Sequence, residues 1–350
     1  MSKRKKGILK AIVNEYILTA EPVGSRTLAR KYNFGVSPAT IRNEMSDLEM
    51  ENYLEQPHKS AGRVPTDKGY RFYVDSLISF KELSESKTKL IERKYRAKKN
   101  EVKKLVQQTS VMLSELTKYT SLVLSPQLKR SVFEHLELIS LASNKVLLIL
   151  VTDTGLIKDK IIEFPANLSH EELENISWFL NERLHGLPLD KIDNQLLLRL
   201  NRELVARFDF VSDKLKILSE EVFSNESVPE EDIYLGGTTY ILDQPEFNDI
   251  KKVKNLLKLL EQEQQLHNIL KSIDNNESNI SDNSQISVAI GSELPHEAID
   301  NCSVVIATYH LNGRPIGKIG VLGPTRMKYD EVISSVKFMS DFLSDLLTNN

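Results

Sequence analysis

The sequence predicts a multidomain α+β protein: an N-terminal winged helix-turn-helix, then an α+β domain interrupted by a mostly helical inserted segment. Three observations predict it. Residues 1–80 hold three short helical patterns followed by a strand candidate and a glycine-centred basic loop. Strand-like runs then occur twice, roughly 100 residues apart, which suggests one sheet split by an insertion. The 350 residues also exceed one typical core, so two or three domains are expected.

The N-terminal elements follow from local chemistry. Residues 6–19 set Ile8, Ile12 and Tyr16, with Leu9 and Val13, on one side of a first helix. Pro22-Val23-Gly24 breaks the chain, and Ser25 is placed to cap a second helix over 26–32, anchored by Leu28. Asn33-Phe34-Gly35-Val36 forms a turn in which Gly35 is free to take a positive φ. Ser37 suits an N-cap and Pro38 the first helical position. Ile41, Met45 and Leu48 then recur at i, i+4 and i+7. At ~100° per residue the opposite face carries Ala39, Asn43 and Ser46, flanked by Thr40 and Arg42. Such a face fits a DNA major groove, where Asn pairs with adenine and Arg with guanine by two hydrogen bonds each. An ordinary amphipathic helix would show a polar face too, so its neighbours decide. Helix, glycine-containing turn and capped helix is the helix-turn-helix pattern. Tyr53-Leu54-Glu55-Gln56 is a short strand candidate, and 57–66 is a small basic loop with Gly62 at its centre, as in a hairpin wing. The candidate DNA-binding set is Ser37, Thr40, Arg42, Asn43, Ser46, Lys59 and Arg63. Arg42 and Asn43 would read base edges, Thr40 and Ser46 would meet phosphate or base, and Lys59 and Arg63 would hold the flanking backbone.

These residues resemble a known family. Ser-Pro-Ala-Thr-Ile-Arg-Asn-Glu-Met at 37–45, Leu-Glu-x-x-x-Tyr-Leu at 48–54, His-x-Ser-Ala-Gly-Arg-x-Pro-Thr at 58–66 and Gly-Tyr-Arg-x-Tyr-Val-Asp at 69–75 are similar to the HrcA heat-inducible transcription repressors of bacteria. The likeness is strongest before residue 80 and extends over the length of the chain. It implies a winged-helix repressor that binds an inverted-repeat operator upstream of chaperone genes as a homodimer. It further implies that the chaperonin GroEL helps maintain the DNA-binding form. For the C-terminal region it implies a GAF-like α+β domain carrying an inserted dimerising domain.

The rest of the chain is divided accordingly. Residues 1–80 form the winged-helix domain, closed by a helix over 70–80 with Tyr70, Tyr73, Val74 and Leu77 on one side. Residues 81–104, rich in both charges, read as a polar helix or linker. Residues 105–186 supply the first part of the GAF-like domain. They hold a helix on Leu105, Met112, Leu113 and Leu116, strands at 133–139, 145–152 and 156–164, and a helix capped by Ser169. Residues 187–284 form the insertion, with helices at 195–208, 212–223 and one long one at 249–273. Residues 285–350 complete the domain with strands at 286–290, 303–309 and 315–322 and a closing helix over 329–347. The helices at 105–116 and 249–273 are the candidate dimer contacts.

Charge is polarised. Residues 1–104 hold 23 Lys+Arg against 13 Asp+Glu, and the remainder 23 against 36, so a polyanion partner is expected at the N-terminal end. The first five residues after Met1 are read as phosphate contacts or a solubilising tail. One cysteine, Cys302, rules out an internal disulfide or a cysteine-based zinc site, and reads as a small buried residue. No window reaches the ~18 apolar residues of a membrane span, and no apolar signal core begins the chain, so a cytoplasmic protein without membrane contact is expected. No Walker loop, nucleophile elbow, dinucleotide fingerprint or paired histidine motif occurs, so neither an enzyme nor a cofactor or metal site is expected. No small-molecule ligand is expected either, although a GAF-like sensor domain driving the DNA module is a second, lower-ranked reading.

Overall fold

The computed structural model describes residues 1–59, 61–78, 83–95, 102–126, 131–142, 144–163, 169–208, 232–275, 279–281 and 284–348. The expected helix at 212–223 lies outside them.

The N-terminal unit contains α1 (Lys3–Thr19), α2 (Ser25–Lys31), α3 (Pro38–Met50), β1 (Leu54–Glu55), β2 (Val64–Pro65) and α4 (Asp67–Ser76). Ser37 caps α3 by accepting from the Thr40 amide at 3.2 Å, with Pro38 at its start. Ser25 does not cap α2. It is the first helical residue, and Gly24 occupies the cap without a side-chain bond. The first helix begins three residues earlier than expected, so Lys3 to Lys6 are helical and not a tail. Ile8, Leu9, Ile12, Leu28, Ile41 and Leu48 are fully buried, which fixes the three helices against one another.

Two helices follow: α5 (Glu85–Tyr95) and α6 (Val102–Thr117). The stretch read as a polar helix or linker is helical over Glu85–Tyr95 and in part docked. Ile91 and Tyr95 are buried, the Tyr95 ring meets Phe342 edge-on at 5.1 Å, and its hydroxyl lies 2.6 Å from that of Thr109.

The remaining elements, in chain order, begin with strands β3 (Thr120–Leu124), β4 (Phe133–Ala142), β5 (Lys145–Thr152) and β6 (Ile157–Glu163). Helices α7 (His170–Leu184) and α8 (Asn194–Phe208), strand β7 (Ile233–Gly236), and helices α9 (Ile250–Leu260) and α10 (Glu263–Asn275) come next. Strands β8 (Asn279–Ser281), β9 (Ser284–Ile290), β10 (Cys302–Leu311) and β11 (Arg314–Pro324) and helix α11 (Tyr329–Thr348) complete the fold. Pairing assigns the strands to sheets differently from the sequence reading. One six-stranded sheet has the order β7-β3-β11-β10-β9-β8, while β4-β5-β6 form a separate three-stranded sheet.

The breaks at 187 and 285 therefore do not match the pairing. The strands between 133 and 163 belong to the separate sheet with α7 and α8, around Phe133, Leu148, Phe179 and Leu204. The elements from 233 to 275 belong to the larger sheet: β7 pairs with β3, and α9 and α10 cover one face through Leu256, Leu260, Leu270 and Ile273. Periodicity finds most strands, though not β3, and none of their partners, and both sheets are apolar enough to be one. The helix expected over 249–273 is broken at Glu261, the C-cap of α9. The break lets both halves lay their leucines on a twisted sheet, where one straight rod would lift away.

The other face of the six-stranded sheet packs on α6 and α11, and this core continues without a gap into α1–α4. Tyr329 is fully buried at the seam, bonded to Ser303 at 2.7 Å and to the Thr325 carbonyl at 2.8 Å. Cys302 is buried at the start of β10, and burial pushes its thiol up to about 12. Among the described residues no helix is long and apolar enough to cross a membrane.

Because the 131–208 unit has its own core, Leu148→Ala should cost ~2–5 kcal/mol there. Hydrogen exchange should show β4–β6 opening while amides of β10 and β11 stay protected. Equal loosening of both sheets would refute separate cores.

Candidate nucleic-acid interface

The burial of Ile41, Met45 and Leu48 orients α3, and helical geometry then sends Ala39, Arg42 and Asn43 to solvent. The Arg42 and Asn43 side chains form no hydrogen bond or ion pair among the described residues, so both are available to a partner. Thr40 and Ser46 are half-buried beside them. Ser37 and Thr40 are partly committed to each other, their hydroxyls 3.0 Å apart. The sequence thus brings Thr40, Arg42, Asn43 and Ser46 to one side of one helix, with Ser37 at its start.

The acidic groups of this segment are each held by a cation from outside α3. Arg4 donates to Glu44 at 2.8 Å, and Lys5 lies 3.0 Å from Asp47 and 3.1 Å from Glu51. Arg63 binds Glu49 at 2.7 Å. Carboxylates that would repel a polyanion are neutralised, and residues 37–43 contain none. The positive end of the α3 dipole adds to the Arg42 charge there. These pairs were not anticipated, because they join residues as far as 46 apart in sequence.

The ribbon after α3 is short. Leu54 pairs with Pro65 and Glu55 with Val64. Val23 adds a third segment, exchanging two 2.9 Å backbone bonds with Arg63. Pro22-Val23-Gly24 is thus more than a chain break. Gly62 is required here, since a Cβ would lie 2.4 Å from the Val23 carbonyl. At the tip, Gln56 ties the carbonyls of Lys59 and Ala61 at 3.0 Å each, leaving the Lys59 side chain exposed. Arg63 differs from Lys59: its side chain is only 14% exposed and is spent on Glu49. The structure therefore gives it a bracing position between ribbon and α3 and does not place it beside Lys59 as a free cation. Two exposed arginines that sequence reasoning passed over, Arg26 and Arg30, stand one turn apart on α2. Their i, i+4 spacing was the available signal.

The α1–α2 junction is tied by Glu15, whose carboxylate accepts from Lys31 and, at 3.0 Å, from Tyr32. The Lys31 hydrogen bond leads in holding Glu15 below its ordinary value of 4.5, with Tyr32 assisting and burial opposing.

A family model described as the HrcA protein C-terminal domain matches residues 103–333. The chain is 44% identical over 347 residues to the heat-inducible transcription repressor HrcA of Pelotomaculum thermopropionicum, covering 99% of this chain and 97% of that one. It belongs to the HrcA family. A second HrcA repressor, from Natranaerobius thermophilus, is 47% identical over 342 residues, covering 97% of this chain and 95% of its own. These HrcA relatives carry the name of a transcription repressor, so the family is a regulatory one and not an enzymatic one. A crystal structure of a hypothetical protein aligns over 100% of this chain and 99% of its own with TM-score 0.61 and 24% identity, which shows a shared fold.

The Glu15 shift has a definite sign. A carboxylate held below its ordinary value stabilises the fold above that value and loses the contribution as pH falls from there through its lowered folded value. The N-terminal unit should become less resistant to thermal unfolding below about pH 4.5, and Glu15→Gln should flatten that acid limb. An unchanged pH profile in the variant would remove Glu15 as its source.

Proposed function

We propose that the chain is a DNA-binding repressor of heat-shock genes whose N-terminal unit acts as a winged helix-turn-helix. The observation that carries the reading is the pair Arg42–Asn43, exposed and uncommitted on a helix whose other side is locked into a core. The family membership supports repression and the heat-shock regulon. Arg42 and Asn43 read base edges, with Thr40 and Ser46 beside them and Ser37 fixing the start of the helix. Lys59 at the wing tip holds the flanking backbone. Arg63 serves by bracing the wing.

A twofold dimer on an inverted repeat completes the reading, since one recognition helix spans too few base pairs for selectivity. The dimer surface we favour is the open face of β4–β6, where Ile139, Leu147 and Ile161 align across the three strands. Ile139, Ile157 and Ile161 are 41%, 67% and 56% exposed. The helices first suggested as contacts, α6 and the α9–α10 segment, spend most of their leucines on this chain's own core, Leu257 excepted. Control by GroEL rests on the family likeness alone. Adding the chaperonin to a limiting amount of repressor should raise operator binding, and no change would leave that element without support.

Three measurements follow from the geometry. Selection from a random duplex pool should return an inverted repeat, and Arg42→Ala should cost ~1–3 kcal/mol and relax one base position per half-site. Unaltered sequence preference in that variant would sink the assignment. Lys59→Ala should weaken all sequences alike and shallow the salt slope by about 1. Ile161→Asp should shift light scattering from dimer to monomer, whereas an unshifted dimer would place the interface elsewhere.

A further inference from the structure

The N-terminal unit and the body are joined by directed polar contacts at two places, besides the shared core. At the first, Arg71 of α4 donates to Glu293 at 2.9 Å, with a second short bond to the same carboxylate, and to the Val288 carbonyl at 2.6 Å. Beside it, Asp67 accepts from the Ser292 amide at 2.9 Å. The turn that receives Asp67 is built for it: Gly291 has φ +50°, and a Cβ there would sit 2.3 Å from the Asp67 carboxylate. At the second place the direction is reversed. Arg326 of the body donates to the Ile17 carbonyl of α1 at 3.1 Å, and Glu246 holds the same guanidinium, with one bond at 3.3 Å. Its side chain is 11% exposed. One arginine reaches from each part into the other, so neither shift nor rotation at the seam is free. Nothing in base recognition by α3 requires this: the three-helix core already orients Arg42 and Asn43.

Resting on the dimeric DNA-binding reading above, we propose that Arg71, held by Glu293, and Arg326, bonded to the Ile17 carbonyl, are positioning residues that set the half-site spacing the repressor accepts. In a twofold dimer the separation of the recognition helices is fixed through the bodies. Inserting one base pair moves the far half-site by about 3.4 Å and turns it by about 34°. Hydrogen bonds of 2.6 to 3.1 Å at the seam do not stretch that far, so the DNA must twist or bend instead. Loosened clamps let each N-terminal unit follow its half-site. Asp153, paired with Arg314 of β11, carries the link on to the three-stranded sheet.

The test uses full-length protein and duplexes holding the selected half-sites with spacers stepped by single base pairs. The wild type should lose affinity about tenfold per step away from one optimum. The double variant Glu293→Ala/Arg326→Gln should vary within about threefold across neighbouring spacers, with half-site sequence preference unchanged. Glu293→Gln, a milder change that keeps an acceptor, should fall between them and serves if the double variant fails to fold. A folded variant that keeps the wild-type optimum, or that weakens at every spacer alike, overturns the proposal. So does a flat profile in the wild type. Failure of the wild type to bind any inverted repeat overturns the functional reading itself, and this inference with it.

Discussion

The interior placement of Ile41, Met45 and Leu48 is the constraint on which the interface depends. Three apolar side chains at helical spacing can enter a core in one rotational setting only. That setting leaves the adjacent pair Arg42–Asn43 on the far side, where no described group of the protein competes for their side chains. The same rotation turns Glu44, Asp47 and Glu49 toward α1 and the ribbon, where cations receive them. One packing decision thus produces both the exposed face proposed to read DNA and the electrostatic quiet around it.

What was legible in the sequence was local. The Ser37 cap, the α3 stripe and the closing helix each depend on residues within a few positions of one another. Pairing of distant segments was not legible. Val23 joins Arg63 through backbone groups that any residue supplies, and β3, the partner of β11, was not anticipated as a strand at all. The fate of Arg63 shows the same limit within the site. Its charge and loop position resemble those of Lys59, and only the location of Glu49 in space separates a brace from a free cation.

The charge polarity of the chain is also altered by folding. A basic N-terminal block suggests a diffuse attraction for phosphate, yet Arg4, Lys5, Lys31, Arg63 and Arg71 are all engaged by carboxylates. The cations left uncommitted are fewer and sit at particular places, which favours register over mere adhesion.

The lone thiol has a practical side. Cys302 is enclosed, and its high proton affinity keeps it from the thiolate form that alkylating reagents attack. The native chain should therefore react only slowly with maleimide dyes. A reporter cysteine engineered on the exposed surface would carry a fluorophore at one known place, without first stripping the protein of its own sulfhydryl.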